Sequence, residues 1–184
     1  MAVTKTVRNY IERRDHRLMR RLHRWRAPRF IQLLMLLSSR LGDGGLWYAL
    51  GLAILLFGGP LRFAADGAGL CSALLAILSF RRLKLMSRRR RPCDIEPHCW
   101  AMITPPDQFS FPSGHSMTAF AIAVSVGSFY PQYQPALLAV AVTIAASRVI
   151  LGMHFLTDVL AGAIAGALLG FISFSFFSLL AAMP

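Results

Sequence analysis

Three short stretches of the 184-residue chain hold side chains able to do chemistry on an anion. The first runs from Lys84 to Arg91-Pro92, with Arg88, Arg89, Arg90 and Arg91 in sequence. Read alone, it is a positive flank that anchors a helix end, but it also sets Lys84 and Arg91 at a fixed spacing. The second, Phe111-Pro112-Ser113-Gly114-His115, stands directly before an apolar segment. Ser113 suits a helix N-cap, and Gly114 lets a ligand approach the backbone. The free N–H groups of a first turn, with the helix dipole, make an anion site toward which His115 would point. The same residues also make an ordinary helix cap. The third stretch is Ser147-Arg148 followed by His154 and Asp158. Read as the opening of a helix, His154 and Asp158 share one face within hydrogen-bonding reach. An Asp paired with His fixes the tautomer and leaves the other ring nitrogen free as nucleophile or base. Taken singly, none of the three stretches is specific.

The elements that must position these groups are dictated by composition. The chain is 55% hydrophobic, and it carries 20 Lys and Arg against 8 Asp and Glu. So much apolar sequence in a small soluble domain would lie on its surface, whereas a bilayer solvates it. Ten of the 20 cations fall in residues 5–29 and seven more in residues 81–91. Such clusters suit anionic headgroups or nucleic acid, and the long apolar segments between them favour the membrane. In residues 1–29, Val7, Tyr10, Ile11, Leu18, Leu22 and Trp25 recur at roughly helical spacing among arginines, as in a helix lying on a membrane surface. No cleavable signal peptide is evident there.

The predicted fold is all-α: a multi-pass transmembrane bundle of about five spans behind an N-terminal amphipathic surface helix. Residues 30–41 and 46–58 flank Gly42-Asp43-Gly44-Gly45 and together make one broken or tilted span. Further spans fit 64–85, 115–130, 135–152 and 154–180, with Pro- and Gly-marked boundaries. Gly162, Gly166 and Gly170, at intervals of four, suit close helix packing in lipid. Two segments follow: a basic interfacial segment, 1–29, and a membrane domain, 30–184, whose polar loop covers 86–114.

An ionised side chain at mid-bilayer costs at least about 2.5–3.5 kcal/mol, so polar residues gather at span ends or in a shared cavity. In a five-span topology Lys84, Arg91, Ser113, His115, Arg148 and His154 all reach one side of the membrane. Phosphate is the ligand that best uses two histidines, three cations and a helix N-terminus together.

The series Lys-x6-Arg-Pro, Pro-Ser-Gly-His and Ser-Arg-x5-His-x3-Asp, across residues 84–158, resembles the type 2 phosphatidic acid phosphatase superfamily. The resemblance implies that His154 is a nucleophile forming a phosphohistidine, oriented by Asp158, with His115 as general acid. It implies that Lys84, Arg91, Ser113, Gly114 and Arg148 cradle the phosphate, with no metal and no cofactor. Its implied substrate is a membrane lipid phosphate or diphosphate, undecaprenyl diphosphate first. Phosphatidylglycerophosphate or phosphatidic acid comes next, then a lipid A phosphate. Anionic headgroups are the expected partner of the basic N-terminal segment, and nucleic acid is not expected.

The implied location is a bacterial inner membrane with the site toward the periplasm, although the positive-inside rule points the other way. A Cys93–Cys99 disulfide would suit the oxidising side, while a zinc site from Cys93, His98 and Cys99 lacks a clear fourth ligand. A competing class is a lipid-binding or transport protein without hydrolysis, which does not require both histidine motifs. Another is a membrane-anchored nucleic-acid binder using residues 1–29.

Overall fold

A computed structural model describes residues 2–25, 27–95 and 107–183. Among the described residues there is no strand. The helices are α1 (Ala2–Arg24), α2 (Arg29–Leu41), α3 (Gly45–Phe57), α4 (Arg62–Ser87), the short α5 (Pro92–Ile95), α6 (Gly114–Phe129), α7 (Gln134–Ile150) and α8 (Leu156–Ala181).

Residues 59–95, 131–150 and 156–181 are long and apolar enough to cross a bilayer. The pair α2 and α3 qualifies as one broken segment, bent by 58° at the Gly42–Gly44 break. The remaining span of the five-span expectation is α6. At 16 residues it reaches only about 24 Å, short of a hydrocarbon core of about 30 Å. Ten of those 16 residues are buried, because α6 runs through the centre, packed on α4, α7 and α8. A helix sheathed by its neighbours need not present a full-length apolar face to lipid. The outer surfaces of the sheath do: Leu33, Leu37, Leu52, Leu56, Leu74, Leu78, Ile164 and Leu168 are all exposed. In a bilayer these side chains are solvated by acyl chains.

The tightest seam joins α8 to α6. A Cβ at Gly162 would stand 2.6 Å from the Ser113 carbonyl oxygen. At Gly166 and Gly170 it would strike the carbonyls of Met117 and Ala121. The absence of a side chain at these three positions brings the start of α8 against the start of α6, where His115 and Asp158 reside.

Helix α1 does not lie free of the bundle. Met19 is buried with Ala145, Val149, Phe155 and Val159. Asp15 and His23 are buried as well, while Tyr10, Ile11 and Trp25 face outward. Leu18 and Leu22 are half-buried, so the apolar stripe expected of a surface helix is divided between bundle and exterior. The Val7 side chain, residues 96–106, and with them the Cys93–Cys99 and zinc alternatives, lie outside the described residues.

Candidate active site

Three chain turns bring the polar residues together. Helix α4 ends at Arg88, whose left-handed backbone (φ 48°) turns the chain while its N–H donates to the Lys84 carbonyl at 3.0 Å. Beyond that turn Arg89 reaches toward α8, whereas Arg91 enters the polar interior. The connecting loop is tied down by Ser110 N–H to the Arg89 carbonyl, 2.7 Å, and Cys93 N–H to the Gly152 carbonyl, 3.2 Å. Ser113 caps α6, its hydroxyl accepting from Ser116 N–H at 3.4 Å and Ser116 Oγ–H at 2.9 Å. The turn from α7 to α8 depends on Gly152 at φ 70°, a conformation costly for residues with a Cβ. It lets both Met153 N–H and His154 N–H donate to the Arg148 carbonyl at 3.0 Å.

His154 therefore lies in that turn, and α8 starts only at Leu156. The expected helical face shared by His154 and Asp158 is not what joins them. Asp158 sits in the first turn of α8, where its Oδ2 accepts the Phe155 N–H at 2.8 Å, a helix-capping bond. The His154 Nδ1 to Asp158 Oδ2 distance is 3.8 Å, an ion-pair separation too long for a hydrogen bond. The Ser110 hydroxyl stands between them, 3.5 Å from Nδ1 and donating a short bond to Asp158 Oδ2. On the other side of the ring, Arg91 Nη1 lies 3.2 Å from Nε2. A guanidinium only donates, so Nε2 carries the lone pair and Nδ1 the proton. Burial pushes the His154 pKa down to about 3; Asp158 pulls it back up, while Arg91 and Arg148 depress it further. The imidazole is thus neutral near pH 7.

A cavity of about 650 Å³ opens beside this ring. Its polar end is lined by Lys84, Arg91, Gly114, His115, Arg148 and His154. Ser113 and Asp158 are fully buried behind this wall rather than part of it. Asp107 joins the polar end, accepting Lys84 Nζ at 2.5 Å and Arg91 Nη2 at 2.7 Å on its two carboxylate oxygens. Burial raises the Asp107 pKa, but these two cations outweigh it and hold the carboxyl below its usual range. Arg91 also donates to the carbonyls of Asp107, 2.9 Å, and Met153, 2.8 Å. Arg148 is 2% exposed and donates from Nη1 to Ser39, while its buried Nε has no partner among the described residues. A buried guanidinium N–H left open costs free energy unless a ligand satisfies it. His115 Nε2 is 2.6 Å from Asp43 Oδ1, and because a carboxylate only accepts, that nitrogen carries a proton. The rest of the cavity is mostly apolar, running between α3 and α4 past Leu52, Leu55, Leu70 and Leu74, with Asp66 and Thr118 as polar exceptions.

Of the predicted site residues, Lys84, Arg91, Gly114, His115, Arg148 and His154 meet at one cavity, and Ser113 and Asp158 support it from behind. Sequence reasoning missed Asp43, Asp107, Ser110, Ser39, Arg89 and Asp15. Asp43 was visible only as part of a glycine-rich break, and Asp107 as one acid in a proline-rich stretch. A signal was available: with only 8 acids against 20 cations, each carboxylate is a scarce partner.

An imidazole backed by a carboxylate, a second histidine and three cations meet at the head of a mostly apolar groove, a pocket whose charge suits an anion. Residues 66–181 match the PAP2 superfamily, well over half of the chain. The chain belongs to that superfamily. The fold superposes on the crystal structure of a transmembrane PAP2 type phosphatidylglycerolphosphate phosphatase from Bacillus subtilis. The TM-score is 0.76 at 26% identity, covering 96% of this chain and 90% of that one. In sequence it is 41% identical to phosphatidylglycerophosphatase B of Bacillus subtilis, over 35% of this chain and 37% of that protein. It is also 41% identical to the lipid A 1-phosphatase of Rhizobium johnstonii, over 32% and 24% respectively. The aligned segments thus cover well under half the length of these curated relatives.

Proposed function

We propose that this protein hydrolyses the terminal phosphate of a membrane lipid phosphate or diphosphate through a phosphohistidine, without a metal ion. The observation that carries the proposal is the buried Arg148, whose Nε has no partner among the described residues, gathered with Lys84, Arg91 and His154 at one cavity. In the free protein Asp107 satisfies Lys84 and Arg91 as a carboxylate, so the cradle is already shaped for an anion with two or more oxygens.

The headgroup phosphate enters between Lys84, Arg91 and Arg148, and the tail lies along the α3–α4 groove. The neutral His154 attacks through Nε2. An Nε2–P bond forms, the P–O bond to the lipid breaks, and His115, charged as the imidazolium beside Asp43 once the anionic headgroup is bound, gives a proton to the leaving oxygen and becomes neutral. The imidazolium that develops is stabilised by Asp158 through Nδ1–H and Ser110. Water then attacks phosphorus, returning its proton to His115, and the N–P bond breaks to release phosphate. The three cations balance charge that builds on the equatorial oxygens.

Undecaprenyl diphosphate is the first substrate to test, and the names of the relatives make phosphatidylglycerophosphate the second. Anionic headgroups are the proposed partner of the outward cations of α1. The proposed setting is a bacterial inner membrane with the site toward the periplasm. A second orientation is favoured by one observation. Asp15 of α1 bonds to Arg89 and Thr157 beside the site, which puts both basic clusters on one face, a cytoplasmic signature.

Phosphate release by purified protein in detergent containing EDTA, from each of these lipids, tests the activity. Release is expected to persist in EDTA and to fall at least about a thousandfold in a folded His154→Ala variant. Release that requires a divalent ion, or survives that substitution, overturns the mechanism.

A further inference from the structure

Helix α1 is strongly basic, yet one acidic residue near its middle, Asp15, is only 4% exposed. Its Oδ2 accepts Arg89 Nη2 at 2.7 Å and a short bond from the Thr157 hydroxyl. Its Oδ1 accepts the Thr157 N–H at 3.4 Å. The other amino group of Arg89, Nη1, donates to Asp158 Oδ1 at 2.6 Å and to Thr157 Oγ1 at 2.9 Å. The guanidinium is stacked on Phe155, 4.4 Å from the ring centroid. Arg89 is therefore stretched between two carboxylates, one from α1 and one from the start of α8.

The division of labour on Asp158 is the informative part. Arg89 takes Oδ1, whereas Oδ2 is left for Ser110, the Phe155 N–H and His154. An arginine fork left alone beside a buried carboxylate engages both oxygens in parallel. Asp15 prevents this by holding Nη2 at the far end.

We propose that Asp15 is a positioning residue for the nucleophile. Through Arg89 it keeps Asp158 Oδ2 turned to His154, which makes α1 a working part of the site as well as a basic face. The inference rests on the His154 nucleophile reading above. When Asp15 is lost, Arg89 closes bidentately on Asp158, Oδ2 is withdrawn from Ser110 and His154, and the imidazole loses both orientation and its countercharge.

The test is steady-state kinetics of the full chain in detergent, with active sites counted by rapid quench into alkaline denaturant, which preserves the phosphohistidine. Asp15→Ala is expected to lower kcat per active site on the order of tenfold with KM unchanged, the cost of a small misplacement of a reacting group. Asp15→Glu is expected to recover most of that loss. In an Arg89→Met background Asp15→Ala is expected to add nothing, because the pair acts as one unit. Met19→Ala loosens the docking of α1 without touching a charge, so it is expected to lower the unfolding temperature and keep kcat. Wild-type kcat in Asp15→Ala, additive losses with Arg89→Met, or an equal loss of kcat in Met19→Ala would sink the inference alone. Activity surviving in His154→Ala overturns the underlying reading and this one with it.

Discussion

Asp43 holds His115 Nε2 at 2.6 Å from the break between α2 and α3, so the orientation of the second imidazole depends on a residue outside all three motifs. Asp43→Ala is expected to reduce kcat about tenfold while KM stays near wild type, against a larger loss for His115→Ala. Equal kcat in Asp43→Ala and wild type would show that the contact is incidental. His154 carries a second consequence at this scale. Its pKa falls from 6.5 to about 3 on folding because burial disfavours the imidazolium. Between those values the unfolded chain takes up a proton that the folded chain refuses, so stability present above pH 6.5 is lost as pH falls toward 3. Thermal unfolding in detergent is expected to show a shallower acid slope for His154→Asn than for wild type. Identical slopes would mean that the ring titrates freely.

Helices α6 and α8 meet through glycine, and their seam sets the separation between the turn holding His154 and the start of α6. The backbone at Gly166 faces the Met117 carbonyl so closely that no side chain fits without moving a helix. Gly166→Leu is expected to cost several kcal/mol or prevent folding, by the overpacking that a close backbone contact does not tolerate. Gly166→Ala should be milder yet still lower both the unfolding temperature in detergent and kcat. A fully active, fully stable Gly166→Leu protein would mean that the seam opens without consequence. The stripe was legible in sequence because an interval of four returns each glycine to one face. That α6 would be the sheathed partner was not, since a 16-residue apolar run reads equally as a short span or a core helix.

Seen as a whole, the molecule has one polar end and one apolar girdle. The middle of α1 is bonded to the arginine run that follows α4, which brings that run beside the basic helix. Orientation in the membrane follows from which end the cell retains inside. With the site toward the periplasm, a cysteine placed at exposed Arg88 in a background lacking other thiols is expected to react with an impermeant maleimide on intact spheroplasts. Labelling only after lysis would place both clusters in the cytoplasm and establish the second orientation.

The sequence by itself determined the class of fold and which polar side chains gather at the cavity. Apolar run lengths set the helices, and three motifs identified the eight residues that gather at or behind the cavity. Their side-chain types are fixed by the chemistry of an anion, and their spacing by helix ends, both of which are local properties. Tertiary structure alone decided the partners of those groups. Asp43 is 72 residues from His115, Ser110 is 48 from Asp158, and Asp15 is 74 from Arg89. Separations of that size have no periodicity to betray them, since a buried carboxylate pairs with whichever cation the packing of distant helices brings within reach. The same reason explains why His154 and Asp158, four residues apart, were correctly paired while their geometry was not. The contact is made across a turn whose shape depends on Gly152 and on what α6 and the loop before it place alongside.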